Sequence, residues 1–430
     1  MADLIVKGGK KLNGEITPAG NKNSALPILC ATLLTNEPIV IHNFPELTDI
    51  EKLVTLMMEL GSKIEWDKEK QTVRIDNSNF CDTFGDEGFP LGMRGALLIL
   101  APLLHRHKVL EINEEIGGCA LGIREIDPHL EVLKELGAKV TTNSGIKIDA
   151  TDGLRGGSLW QDYMSVTTTE NFLMAAVLAE GKSKMVNSAS EPHVQDLCNF
   201  LISMGAKIEG IGSSTLIVEG VERLHGTEFT VSSDHHEITT LLALGAMTGG
   251  DVRVNNAIPN HFPLINKTFA KFGVLVKYDN DTAYIESNNP LKIVNPYTSN
   301  LLQKVEAAPW PYFPADLLPL MLALAVKSEG NIMFWNKIYE GGLFWIPEMI
   351  KFGAHIVMCD PHRVIVFGNK KLTPATVDAP NIIRATVALL MVALTIEGES
   401  VIRDADSIKR AHPHFVENLQ RLGADIKWSE

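Results

Sequence analysis

A thiol set among glycines, with a guanidinium five residues on, is the most reactive-looking segment of the chain: Gly117-Gly118-Cys119-Ala120-Leu121-Gly122-Ile123-Arg124. Three glycines in six residues allow unusual backbone angles. Cys119 beside Arg124 reads either as an acid or nucleophile of lowered pKa or as an inert small residue. Arg124 and Arg410 occupy equivalent places, each 13 residues before a glycine (Gly137 and Gly423) that ends an amphipathic run. Guanidinium groups fork onto carboxylates and phosphates, so the pair suggests a polyanionic ligand; a solvated outer face is the plain alternative for Arg410, whose neighbours Lys409 and His412 add to the basic character. Lys22, Arg94 and Arg384 each stand where an apolar helix should begin. A cation there opposes the helix dipole and costs stability unless an anion is bound. Asn23, Ser165, Asp234 and Asp316 stand at the same kind of position, and Ser165, Asp234 and Asp316 read equally well as caps. Asp234-His235-His236-Glu237 resembles a metal cluster, but four consecutive residues at a helix start point in different directions, which favours a cap.

The elements that must hold these residues repeat. Gly61, Gly137, Gly205, Gly273, Gly353 and Gly423 each follow an apolar residue and precede an alternating stretch, at spacings of 76, 68, 68, 80 and 70. That pattern predicts an amphipathic outer helix, a left-handed glycine cap and a strand. Before each unit lies a second helix, apolar nearly all round and therefore interior. Three of these are expected to run from Thr167 to Glu180, Asp316 to Glu329 and Arg384 to Glu397. Six units fit two domains of three. If the three interior helices of a domain run parallel, their polar starts share one end, and two such ends facing each other would enclose an anion-attracting cleft.

Composition bounds the function. A net charge of −13 argues against a general nucleic-acid binder. The longest apolar stretch, residues 385–396, is too short to span a bilayer. Five scattered cysteines do not form a disulfide framework, no paired-cysteine or HExxH metal motif is present, and the N-terminal residues lack a signal-peptide layout. A reducing cytoplasm is the expected location.

Asn21-Lys22-Asn23-Ser24-Ala25-Leu26-Pro27, the glycine-flanked Cys119 loop, Phe313-Pro314-Ala315-Asp316, Arg384 and Arg410 together resemble the UDP-N-acetylglucosamine enolpyruvyl transferases (1-carboxyvinyltransferases), over essentially the whole chain. The resemblance implies an α/β fold of two inverse α/β barrel (α/β prism) domains, each of three βαβαββ repeats. One would cover 22–232 and the other 1–21 with 233–430, the active site lying in the cleft between them. It implies phosphoenolpyruvate and UDP-N-acetylglucosamine as substrates, with no metal or other cofactor. Lys22, Arg124 and Arg410 match residues that hold phosphate and carboxylate, and Arg94 and Arg384 belong to the same basic cluster. Cys119 matches a mobile-loop cysteine tied to proton transfer and product release. Asp316 matches the carboxylate at the reacting hydroxyl, a candidate general base. Asn23 should touch the sugar. Asp127, His129, Ser165 and Val166 match positions around the nucleotide.

Several positions depart from that pattern. The stretch 340–348 lacks the family's Arg, and Ile382-Ile383-Arg384 stands where the family has Asp-Leu-Arg. Ser407-Ile408-Lys409-Arg410-Ala411-His412 replaces His-Ile-Asp-Arg-Gly-Tyr, and Thr167-Thr168-Thr169 replaces Gly-Ala-Thr. His235 stands where the family often has Arg. The phosphoenolpyruvate side is kept and the acceptor side altered, so a paralogue using another nucleotide or sugar acceptor is the alternative reading. A binding protein on the same scaffold is a third, opposed by the retained Lys22, Cys119, Asp316, Arg124 and Arg410. Trp310 and Trp345 flank the acceptor side, as stacking or as core residues. Cys30, Cys81, Cys198 and Cys359 are expected to be packing residues.

Overall fold

The computed structural model describes residues 2–81, 94–112, 125–142, 145–286, 290–298, 301–412 and 414–429, the side chains of 94–96 excepted. Cys119 and Arg124 lie outside the described residues, as does the side chain of Arg94. The described chain divides into two compact units, one formed by residues up to Ala19 together with Ser233 onward, the other by Gly20 to Ser232.

Among the described residues, each unit holds three interior helices and three sheets. In the 20–232 unit the interior helices are Lys22–Ala31, Leu100–His107 (entered through a 3-10 turn, Arg94–Ile99) and Val166–Ala176. In the other they are His235–Thr248, Leu318–Lys327 (entered through Ala315–Leu317) and Ile383–Leu394. Every residue from Leu318 to Val326 and from Ala385 to Leu394 is buried, as expected of sequences apolar all round. The outer helices are one-sided. Thr48–Glu59 buries Ile50, Leu53, Val54 and Met57, the i, i+3, i+4, i+7 stripe of a surface helix.

The six repeat glycines all take left-handed backbone, with φ from 73° at Gly273 to 105° at Gly205, a conformation that L side chains disfavour. The interior helices stop short of the glutamates at which the sequence reading ended them. They close at Ala176, Lys327 and Leu394, and at the last two a local hydroxyl takes up a last-turn carbonyl: Ser328 Oγ donates to Leu324 O at 2.8 Å, and Thr395 Oγ1 to Val392 O at 2.8 Å. Glu180 and Glu329 instead form isolated parallel bridges with Arg155 and Lys292, two residues before the next strands begin at Lys182 and Asn331.

Within a repeat, the strand before the interior helix runs parallel to the strand after it. Gln303–Ala307 pairs this way with Asn331–Asn336, and Thr376–Asp378 with Gly398–Arg403. The first repeat of each unit exchanges that strand. Gly14–Ile16 leads into the Lys22 helix but pairs with Val252–Val254, while Glu228–Thr230 leads into the His235 helix but pairs with Ile39–His42. The chain therefore passes between units twice, at Ala19/Gly20 and Ser232/Ser233. Gly20 is required at the first passage, since a Cβ there would lie 1.9 Å from the Asn43 carbonyl oxygen. The N-terminal strand Leu4–Gly8 completes the sixth repeat, antiparallel to Gly398–Arg403 on one side and Asp425–Trp428 on the other. No described helix is long and apolar enough to cross a membrane.

Candidate active-site residues

In the 20–232 unit, Lys22 is the first residue of its helix. Asn21 caps that helix, its side chain accepting from Asn23 N at 2.9 Å, and its own N–H donates to Ser232 O at 2.8 Å. With the helix start fixed, the Lys22 ammonium is ion-paired with Asp49, in the first turn of the Thr48–Glu59 helix. Both side chains are mostly buried, 15% and 22% exposed, so the pair is less screened than a surface bridge. Asn23 beside it is half-buried.

Ser165 caps the Val166–Ala176 helix. Thr168 Oγ1 donates to its hydroxyl at 2.8 Å, and Thr169 Oγ1 to its carbonyl at 2.8 Å. His129 is 2% exposed and ties the outer helix Asp127–Glu135 to this one. The Asn171 amide meets Nδ1 at 2.8 Å while also donating to Leu97 O, which makes Nδ1 the acceptor and Nε2–H the donor to Thr167 Oγ1 at 3.3 Å. The two threonines that depart from the family pattern, Thr167 and Thr168, thus each have a partner. His129 holds the helix start from behind, while Asp127 is exposed and Val166 half-buried at the helix's first position.

The 233–430 unit carries the more elaborate network. Asp234 caps its helix, Oδ1 accepting from the His236 backbone N–H and from His236 Nδ1, both at 2.9 Å. Its other oxygen lies 3.5 Å from Arg384 Nη2. Burial alone would raise Asp234; the positive fields of His236 and Arg384 overcome this and hold its carboxyl well below the usual range. Arg384 also donates through Nη1 to His412 Nε2. His412 Nδ1 faces Glu237 Oε2 at 3.8 Å, and Glu237 accepts from Ala19 N at 3.0 Å and from the Asn418 amide at 3.5 Å. Asp234, His235 and His236 bring ligand-type atoms within 4.8 Å of one another. However, both Asp234 oxygens are engaged, one of them by a guanidinium, so the set reads as a paired buried carboxylate.

Ile382 occupies the cap of the Arg384 helix and offers no side-chain hydrogen bond. The helix starting at His235 in the same unit has one. The first-turn amides there, with Arg384 in that turn, form an anion-attracting end. Asp316 is half-buried in the 3-10 turn Ala315–Leu317, and Arg410 is exposed at the end of Ala405–Arg410.

Two features escaped the sequence reading. Asp49 was not connected with Lys22, though an acidic residue in a helix first turn was visible. His412 was grouped with Arg410 but sits on Arg384, while Lys409 pairs with Asp406 at 3.3 Å and lies over the Trp428 ring. Trp345 is a core residue, its Nε1 donating to Gly342 O at 3.0 Å. Cys30 and Cys198 are buried as expected, whereas Cys81 and Cys359 are exposed and do not pack.

Comparison with known proteins gives the family and the fold. The profile of the EPSP synthase (3-phosphoshikimate 1-carboxyvinyltransferase) family matches residues 6–419. The chain is 38% identical to the UDP-N-acetylglucosamine 1-carboxyvinyltransferase of Borrelia garinii subsp. bavariensis, over 99% of each chain. It is 40% identical to the enzyme of that name from Bradyrhizobium diazoefficiens, over 98% of this chain and 97% of the other. Among solved structures, the enolpyruvyl transferase NikO from Streptomyces tendae superposes with a TM-score of 0.86 at 21% identity, covering 100% and 99% of the two chains. EPSP synthase from Acinetobacter baumannii superposes at 0.78 and 17%, covering both chains fully.

Proposed function

The chain belongs to the UDP-N-acetylglucosamine 1-carboxyvinyltransferases, within the wider EPSP synthase family, and from that premise we propose that it transfers the enolpyruvyl group of phosphoenolpyruvate to the 3'-hydroxyl of UDP-N-acetylglucosamine, releasing phosphate, as the first committed step of peptidoglycan synthesis in the cytoplasm. The observation that carries the acceptor assignment is the end-to-end identity with enzymes of that name, 38% over 99% of both chains.

The residue types suit the reaction. The sugar oxygen forms a bond to C2 of phosphoenolpyruvate, its proton going to a base, while a proton is added to the methylene carbon. The tetrahedral adduct then loses a methyl proton and expels phosphate. We assign Asp316 to the hydroxyl proton and Cys119 to proton transfer and product release. Lys22, Arg124, Arg384, Arg410 and Arg94 hold the phosphate and carboxylate. Fixed cations need no reorganisation as charge shifts toward the leaving phosphate, and one such donor is worth about 2.7–4 kcal/mol. The uncapped start of the Arg384 helix supports its place in this set. Asn23 is assigned to the sugar, with Asp127, Ser165 and Val166 at the nucleotide and His129 positioning them.

The test is phosphate release from phosphoenolpyruvate by purified protein, with UDP-N-acetylglucosamine set against other UDP-sugars and UMP. Release that requires UDP-N-acetylglucosamine and is lost in Lys22→Ala is the expected result. Turnover only with another acceptor would overturn the acceptor assignment.

A further inference from the structure

Arg384 is held by side chains distant from it in sequence, and one of them has an unusual protonation requirement. A guanidinium has donors and no acceptor, so the contact between Arg384 Nη1 and His412 Nε2 requires a lone pair on that nitrogen. The proton of neutral His412 is then on Nδ1, which is buried without a hydrogen-bond partner and faces Glu237 Oε2 at 3.8 Å. His412 itself is 3% exposed, its ring 5.4 Å from that of Phe415. Among the described residues, the carboxylates that touch this pair are Asp234 and Glu237. Asp234 bears on Arg384 from the helix cap, with His236 on its other oxygen. Glu237 bears on His412, backed by Asn418. Two donors of Arg384 are thereby fixed, and its remaining N–H groups have no partner among the described residues.

We propose that neutral His412 is the positioning residue that aims Arg384 at its anionic ligand, so that protonation of His412 weakens binding of phosphoenolpyruvate. This rests on the assignment of Arg384 to that substrate. A second proton on the imidazole removes the acceptor and sets two cations against each other in a buried site, where opposition is poorly screened. Glu237 can attract the new charge but not the guanidinium, so the two side chains separate.

The experiment compares wild type, His412→Gln and His412→Phe as full-length protein. Steady-state KM for phosphoenolpyruvate and kcat are measured with saturating UDP-N-acetylglucosamine. His412→Phe removes the acceptor and should raise KM roughly ten- to a hundredfold, the range for a lost hydrogen bond to a charged group, with kcat within about twofold. His412→Gln supplies a non-titrating carbonyl acceptor and should restore KM to within about threefold of wild type. Wild-type KM should rise on acidification, and that rise should flatten in His412→Gln, which has no imidazole to protonate. Equal defects in both variants would reduce His412 to packing against Phe415 and overturn the proposal; an acid rise unchanged in His412→Gln would assign the titration to another group and do the same. Should His412→Phe fail to fold by thermal unfolding, the pH comparison with His412→Gln still decides. If wild type shows no turnover with UDP-N-acetylglucosamine, the functional assignment fails separately. Calorimetric binding of phosphoenolpyruvate to the same proteins then tests whether His412 aims Arg384.

Discussion

Glu170 is a carboxyl with no evident role in the reaction, placed in the middle of an interior helix. It is 1% exposed, and its Oε1 has no hydrogen-bond partner. Burial, reinforced by the charge of Glu191, pushes it well above its ordinary value of 4.5. The folded protein therefore keeps a proton that the unfolded chain gives up above pH 4.5. Across that window stability falls as pH rises, by about 1.4 kcal/mol per pH unit, and the loss ends only where Glu170 ionises in the fold. His105 runs the opposite way. Burial lowers it from 6.5 to about 4, so between those values the unfolded chain holds the extra proton and stability rises with pH at a similar slope. From pH 4.5 to 6.5 the two slopes offset each other, and the wild-type profile alone conceals both. The informative perturbation is Glu170→Gln, which keeps the shape and removes the titration. Urea unfolding of the two proteins side by side, from pH 5 to 9, should show Glu170→Gln gaining on wild type by about 1.4 kcal/mol per unit until the difference levels. Glu170→Met, which also removes the unpartnered oxygen, should be more stable than Glu170→Gln by about 1–3 kcal/mol. A difference that is flat over this range would mean that the carboxyl is already ionised in the fold, and the burial argument would be wrong.

His105→Gln keeps an N–H for the Ala175 carbonyl, which His105 Nε2 meets at 2.9 Å, and should gain stability relative to wild type as pH falls from 6.5 toward 4; a difference that does not change with pH in thermal unfolding would count against it. Asp49→Ala should raise KM for phosphoenolpyruvate about three- to tenfold by freeing Lys22, while lowering stability by more than the roughly 1 kcal/mol of an exposed pair, since Lys22 is left mostly buried without its counter-charge; unchanged KM would make the pair structural only. Gly61 and Gly137 share φ of 96°, but a Cβ would lie 2.5 Å from Asn79 O at Gly61 and only 4.0 Å from Gly153 O at Gly137. Gly137→Ala should therefore cost about 1–2 kcal/mol, the backbone term alone, and Gly61→Ala clearly more, as read by thermal midpoints; equal losses would show that the carbonyl moves aside. Ile382→Asp should add a helix cap, stabilising by about 0.5–2 kcal/mol, and raise KM for phosphoenolpyruvate by placing a carboxylate at the anion-attracting end; higher stability with unchanged KM would refute that role for the helix start.

The fold was legible because its signals are periodic. Six glycines at near-even spacing marked six outer helices, and each proved to need left-handed backbone. Interior helices were recognised by having no polar face. Their ends were misjudged because the closing signal was a single hydroxyl, Ser328 or Thr395, and not the conspicuous glutamate beyond. The exchange of Gly14–Ile16 and Glu228–Thr230 between first repeats has no local signal in those short strands; only the resemblance to a known family suggested that the chain passes twice between domains. Among the candidate site residues, a cap or helix-start position was legible from type and place alone. Partners were not. Lys22 and Asp49 lie 27 residues apart and Arg384 and Asp234 lie 150 apart, separations over which charge patterning says nothing until the topology is known.

The departures at Ile382 and His412 bear on the same side chain. Read along the chain, they are unrelated losses: a carboxylate gone from one motif and a tyrosine from another. In the fold they flank Arg384, one at its helix cap and the other on its Nη1. Without a cap carboxylate the helix end keeps its positive field, which by itself would repel the guanidinium. Asp234, held ionised, supplies the counter-charge from another helix, and His412 accepts a second hydrogen bond without adding a negative charge. The local charge is therefore more positive than an aspartate at 382 would leave it, while the guanidinium stays anchored at two points. This favours retention of an anion site over its decay. A chain losing the chemistry would have no reason to keep a buried aspartate and an imidazole trained on one largely buried arginine, since a buried carboxylate left without a cation is strongly destabilising.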